Sequence, residues 1–269
     1  MARATGPQGR ITRGTTGTNR LRRVDRWIAQ LPAFLHASRP LVVDLGYGAT
    51  PHTAVELRAR LAERRPDVEV VGIEIDPERW ARAREAERPG LSFRLGGFEI
   101  PTDRSPDVIR ALNVLRQYDE AEVPAAWALM QARLAPGGAI VEGTCSENGR
   151  VGAWITLDAH GPQVLTMAVH LRSLESPSIV AERLPKALIH HNVPGEPVHR
   201  LMSELDRLWA VHAGLGVYGA RQRWIATVES LRADGWPVLG TRARWRLGEL
   251  SVDWAAVAPG EEPGSSARG

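Results

Sequence analysis

The stretch Val43-Asp44-Leu45-Gly46-Tyr47-Gly48-Ala49-Thr50-Pro51 joins an apolar run to a helical pattern. Two glycines one residue apart at a strand end let the backbone turn tightly and approach a ligand with no side chain in the way. Thr50 is a good N-cap and Pro51 a good first helical residue, so the loop feeds a helix N-terminus whose free amides attract an anionic group. A second apolar run ends in Gly72-Ile73-Glu74-Ile75-Asp76-Pro77, with Glu74 26 residues past Gly48. A carboxylate at the end of that strand can accept hydrogen bonds from both ribose hydroxyls of an adenosine. The dinucleotide fingerprint G-x-G-x-x-G asks for a third glycine where Pro51 stands, which speaks against NAD or FAD. Asp76, followed by Pro77, reads as the cap of the next helix.

The elements that would position these residues follow from hydrophobic periodicity. Apolar runs at 41–45, 68–75, 91–95, 107–112 and 139–144 alternate with helical patterns at 52–64, 77–87 and 119–134. That alternation is the pattern of parallel strands joined by helical crossovers, so 41–145 reads as the core of a doubly wound α/β fold. Ahead of it, 1–18 reads as a flexible basic arm. In 19–40 an amphipathic helix is expected, with Leu21, Val24, Trp27, Ile28 and Leu31 on one stripe, Asn19 as N-cap and Pro32 as stop. After Cys145, residues 152–170 read as a hairpin, followed by helices near 198–213 and 219–233 and strand-like runs at 236–258. The 146–218 segment is expected to be an inserted hairpin and helical cap over the site, 219–258 the last core helix and strands, and 259–269 a disordered tail.

Composition narrows the function class. The 269 residues carry 34 Lys and Arg against 31 Asp and Glu, with a pI near 9.6. Residues 1–26 hold seven arginines and a single acid, Asp25, while the remainder is slightly acidic. The basic character therefore belongs to the N-terminal arm, which could meet nucleic acid or an anionic acceptor. A single cysteine excludes an intramolecular disulfide framework or a cysteine-rich zinc site. With no membrane-spanning run and no apolar signal segment, a cytoplasmic protein is expected. Adjacent histidines such as His190 and His191 do not easily face one ion, so no metal is expected. Trp27, Trp127, Trp209 and Trp224 lie on apolar helical stripes and read as core.

Taken in order, DLGYGATP (44–51), VVGIEIDPERW (70–80) and LAPGGAIVEGT (134–144) resemble the motif series of class I S-adenosylmethionine-dependent methyltransferases. The resemblance covers roughly 41–144 and resumes at 225–258. It implies a mostly parallel, seven-stranded, Rossmann-like sheet with S-adenosyl-L-methionine as cofactor. Carried over residue by residue, Asp44, Gly46, Tyr47 and Gly48 match the loop around the methionine half, and Glu74 with Ile75 matches the ribose and adenine edge. Where the family often has an acid for the adenine amino group, this chain has Gly96-Gly97-Phe98-Glu99. The resemblance leaves Gly97 and Phe98 for the adenine, with the acid missing or moved to Glu99. Asn113 and Val114 match the stretch beneath the transferring methyl group.

Methyl transfer asks chiefly for a nucleophile held in line, and for a base only when its proton is weakly acidic. No catalytic residue is assigned on that basis. Arg116 and Tyr118, after the fourth strand, are substrate candidates. The Asn-Pro-Pro-Tyr clamp of amine methylation is replaced by Asn-Val-Leu-Arg at 113–116. A small-molecule acceptor is the leading expectation. Two alternatives stay open: an aminopropyltransferase-like enzyme, which would need acids where Asn113 and Arg116 stand, and a non-catalytic cofactor-sensing or nucleic-acid-binding protein on the same fold.

Overall fold

The computed structural model describes residues 6–260. The core strands are β1 (Leu41–Leu45), β2 (Glu69–Glu74), β3 (Leu91–Leu95), β4 (Val108–Leu112) and β5 (Ala139–Cys145), followed by β6 (Gly152–Asp158), β7 (Gly161–Ala168), β8 (Val238–Leu239) and β9 (Glu249–Asp253). They form one sheet in the order β3-β2-β1-β4-β5-β6-β7-β9-β8. The first five pair in parallel and the last four extend the sheet antiparallel from β5. Reversal of strand order about β1 makes a crevice between the C-terminal ends of β1 and β4, the place where open α/β sheets bind ligands.

The central strands are apolar on both faces, as a sheet covered on two sides requires. Leu41, Val43 and Leu45 enter one core cluster while Val42 enters the other. Around the sheet run α1 (Arg22–Ile28), α2 (Pro32–Leu35), α3 (His52–Ala62), α4 (Pro77–Ala83), α5 (Val123–Gln131), α6 (Lys186–Ile189), α7 (Pro197–Val211), α8 (Ala220–Ala233) and α9 (Arg242–Trp245). Buried residues of α1 and α3 join Val42, Val70 and Val141 on one face; those of α5, α7 and α8 join Val43, Ile73 and Ile140 on the other. On α7, Val198, Leu201, Met202, Leu205, Leu208 and Trp209 make the buried stripe. Asp76 caps α4 by accepting the Glu78 and Arg79 amides.

Several expectations need correction. The sheet has nine strands rather than seven, because the 152–170 hairpin is part of it: β6 pairs along β5 from Ile140↔Leu157 to Cys145↔Gly152. Trp154, Ile155, Leu157 and Leu165 are almost wholly buried, so the hairpin has two covered faces and could not stand off as a cap. Of the remainder of 146–218, α7 packs on α8, and the turn Pro177–Arg183 reaches the crevice.

The 1–18 arm is not free where it is described. Residues 8–16 lie across the crevice, bonded to Glu99, Phe98, Tyr118, Gln117, Ala49 and Thr50. Residues 1–5 and 261–269 lie outside the described residues; Gly260, from the expected tail, donates its amide to Glu196. The single helix expected over 19–40 is two short ones. Pro32 starts α2, and Asn19, with φ +61°, caps nothing but gives its amide to the Glu56 carboxylate. Finally, Thr50 does not cap α3; its hydroxyl meets those of Thr16 and the ring of His52. Among the described residues no helix is long and apolar enough to cross a membrane.

Candidate functional site

The turn after β1 needs its glycines. Gly46 has φ +67° and Gly48 φ +88°, both in the region that favours glycine. A Cβ on Gly46 would stand 2.7 Å from Val114 Cγ2, and one on Gly48 2.7 Å from the Gly14 carbonyl oxygen. The glycines therefore serve close approach by Val114 and by the arm. Tyr47 also borders the crevice, but its ring turns into the core, edge-on to Phe93 at 5.2 Å.

Asp44 is committed to the scaffold. Its Oδ1 accepts Arg110 Nε at 2.9 Å and its Oδ2 accepts Thr53 Oγ1 at 2.8 Å. Arg110, on the adjacent strand and fully buried, also pairs with Asp25 of α1, which Arg60 holds from its other side. Burial works against the Arg110 charge, yet Asp44 and Asp25 hold its pKa above the ordinary arginine range.

Glu74, 1% exposed, closes the base of the crevice. Its Oε2 accepts the Gly48 amide at 2.9 Å, and its Oε1 accepts those of Ile75 and Asp76 at 3.0 and 3.2 Å. A carboxylate has about four acceptor positions. One position, on Oε2, is left for a ligand hydroxyl, where the sequence alone suggested room for two.

Beyond Glu74 a narrow slot is bordered by Ile75, Gly97, Phe98, Val114 and Tyr118. The chain's own arm fills it. The Phe98 amide donates to the Gln8 carbonyl at 2.9 Å, and the Gln8 amide donates to Glu99 Oε2 at 2.7 Å. The other Glu99 oxygen accepts the Gly97 amide at 2.8 Å. A Cβ on Gly9 would stand 3.0 Å from Tyr118 Oη, 3.4 Å from Ile75 Cδ1 and 3.5 Å from Phe98 Cε2. Phe98 and Tyr118 meet edge-on at 5.4 Å, and the Tyr118 hydroxyl accepts the Arg10 amide at 2.5 Å. About 20 Å³ stays free, room for about one water. Tyr118 thus belongs to this slot and not beside Arg116.

On the other side of Gly46 lies a cavity of about 680 Å³. Its walls include Asp44, Gly46, Gly48, Asn113, Val114, Arg116 and Cys145, with Thr12–Thr16 along one side. Asn113 follows β4 with φ +64°, a left-handed conformation Asn tolerates better than most residues. Its side chain ties β4 to β5, the Oδ1 accepting the Cys145 amide at 2.9 Å and the Nδ2 reaching Cys145 Sγ at 3.4 Å. Val114 borders both spaces.

The crevice thus gathers every candidate: Asp44, Gly46, Tyr47, Gly48, Asn113, Val114 and Arg116 at the cavity, with Glu74, Ile75, Gly97, Phe98 and Tyr118 at the slot. It also brings in residues the sequence did not single out as site residues: Gln8, Arg13, Arg20 and Arg183. The arginine excess before residue 26 was the signal for two of them. Nothing local marks Arg183, which arrives because its carbonyl accepts the Thr144 hydroxyl. Among the described residues no group of three His, Cys, Asp or Glu could hold a metal ion.

No family model and no curated protein matches the chain. Solved structures overlap part of it. A plantazolicin methyltransferase, crystallised with S-adenosylhomocysteine, is 15% identical over 48% of this chain and 47% of its own, at TM-score 0.38. A SAM-dependent methyltransferase of Leishmania major is 17% identical over 48% and 54%, at TM-score 0.35. An O-methyltransferase of neocarzinostatin biosynthesis, crystallised with S-adenosylmethionine, is 16% identical over 43% and 35%, at TM-score 0.34. The chain spans between about a third and about half of the length of these structures.

Proposed function

We propose that the chain is an S-adenosylmethionine-dependent methyltransferase acting on a small-molecule acceptor. The observation that carries this reading is the pair formed by Glu99 and the Phe98 amide. An acceptor and a donor stand side by side there, the complement of the donor and acceptor on the Watson–Crick edge of adenine. The Gln8 peptide already meets that pair with its own N–H and C=O. Ile75, Phe98 and Tyr118 give the slot apolar walls for a planar ring.

The donor set fits the cofactor. Glu99 and Phe98 would hold the adenine, Glu74 a ribose hydroxyl, and the loop of Gly46 and Gly48 with Asn113 and Val114 would border the methionine half in the larger cavity. The slot cannot hold a base while Gln8 to Arg10 occupy it, so binding requires that stretch to leave. Gly14, with φ +67° and its carbonyl bonded to the Ala49 amide at 2.9 Å, offers the pivot.

Bound in the crevice, S-adenosylmethionine would supply a methyl group made electrophilic by the positively charged sulfur that carries it. What the chain contributes is alignment, and well-oriented pairs reach effective molarities on the order of 10⁵ M or more. Asn113, locked by Cys145, keeps Val114 against Gly46 and so fixes the floor between slot and cavity.

Thermal unfolding with S-adenosylmethionine, S-adenosylhomocysteine and NAD tests the reading. Either sulfur ligand should stabilise by about 2.7 kcal/mol at one hundred times its Kd. Stabilisation by NAD alone would contradict it.

A further inference from the structure

The 680 Å³ cavity is lined by four arginines, Arg13, Arg20, Arg116 and Arg183, and by two acids, Asp44 and Glu147. Asp44 is already neutralised by Arg110. Among the described residues none of the four arginines pairs with a carboxylate. Arg20, 8% exposed, spends its guanidinium on the carbonyls of Thr15, Cys145 and Ser146. Arg116 gives one N–H to the Glu182 carbonyl.

Arg116, exposed on the turn after β4, and Arg183, half-buried at the end of Pro177–Arg183, line the same cavity. Partial burial and the Arg183 charge hold Arg116 below the ordinary arginine range, with the Glu182 carboxylate opposing the shift. Two guanidinium groups on one cavity lining, neither of them in an ion pair among the described residues, disfavour each other, and an anion placed between them offsets that cost. The planar fork of arginine suits carboxylate and phosphate, which it can hold through two parallel hydrogen bonds. The amino-acid carboxylate of the cofactor would engage one such group. It leaves the pair supplied by the turn after β4 and by the end of Pro177–Arg183.

We propose that this cavity takes an acceptor bearing an oxyanion, carboxylate or phosphate, gripped by Arg116 and Arg183. Its role as an acceptor site rests on the methyltransferase reading; anion binding by these side chains does not. The segment 171–218 thereby sets specificity by delivering Arg183.

Calorimetry on the full chain, with inorganic phosphate and with benzoate as probes, tests the assignment. At least one probe should bind saturably at one per chain, more weakly as salt rises. Affinity should fall at least tenfold in Arg116→Gln/Arg183→Gln and measurably in the single Arg116→Gln variant. Arg22→Gln/Arg26→Gln, on the outer surface of α1, should leave it unchanged. Failure of both probes to saturate, or equal affinity in the double variant, would overturn the proposal. S-adenosylhomocysteine, titrated into the same samples, separates the two readings. Its affinity should change less than threefold in the double variant. If it fails to bind while a probe binds with the arginine dependence described, the methyltransferase reading falls and the oxyanion site stands.

Discussion

The Gln8 peptide is held on both sides by the edge of the slot: its carbonyl accepts the Phe98 amide at 2.9 Å and its own amide reaches Glu99 at 2.7 Å. The chain thus presents a competitor for any base that would use the same donor and acceptor. Gln8→Pro removes the N–H that Glu99 accepts, and a hydrogen bond to a charged group contributes about 1.5–3 kcal/mol. The expected outcome is S-adenosylhomocysteine affinity raised by about tenfold, read by calorimetry.

Gly46→Ala places a methyl 2.7 Å from Val114 Cγ2 at a residue with φ +67°. Overpacking and the left-handed backbone together should cost about 1–3 kcal/mol. Adding Val114→Ala removes the clash but not the backbone strain. Denaturant unfolding of the single and double variants should therefore show partial recovery.

Arg110→Met leaves Asp25 and Asp44 buried without their shared partner. Breaking a buried ion pair from one side typically costs about 3–5 kcal/mol. Urea unfolding should show a loss of that order.

Glu142 on β5 is fully buried, with neither carboxyl oxygen hydrogen-bonded among the described residues. Burial pushes its pKa up from 4.5 to about 8, with the Trp127 indole opposing the shift. Between those values the native state holds a proton that the unfolded chain has lost. Stability from this group is therefore full below about pH 4.5 and declines as pH rises toward about 8, by at most about 1.4 kcal/mol per pH unit. In Glu142→Gln that slope should vanish from stability curves measured between pH 5 and 8 (about the window set by the shift).

Much of the parallel half of the molecule was legible because its signals are local. Leu41–Leu45 and Leu91–Leu95 form strands over the same residues that carry the apolar runs, and Asp76-Pro77 caps α4 as its residue types require. Gly46, Gly48 and Glu74 come together because the strand ends of a parallel sheet are adjacent in space. The other half was not legible for equally physical reasons. Whether a hairpin stands apart or extends a sheet depends on the free edge of β5, which no short stretch of sequence records. The arm, rich in Gly, Thr and Arg, has the composition of a loose tail, yet it is held by backbone groups that composition does not describe: Gln8 on Phe98 and Gly14 on Ala49. Arg183 joined the cavity through a contact with a strand 39 residues earlier.

The most direct test of the account is a calorimetric titration of S-adenosylhomocysteine into the full chain and into Glu74→Ala, with folding of the variant verified by circular dichroism. Saturable binding at one ligand per chain is expected, weakened at least tenfold in Glu74→Ala. Absence of saturable binding to the wild-type chain, or equal affinity in a folded Glu74→Ala variant, would contradict it.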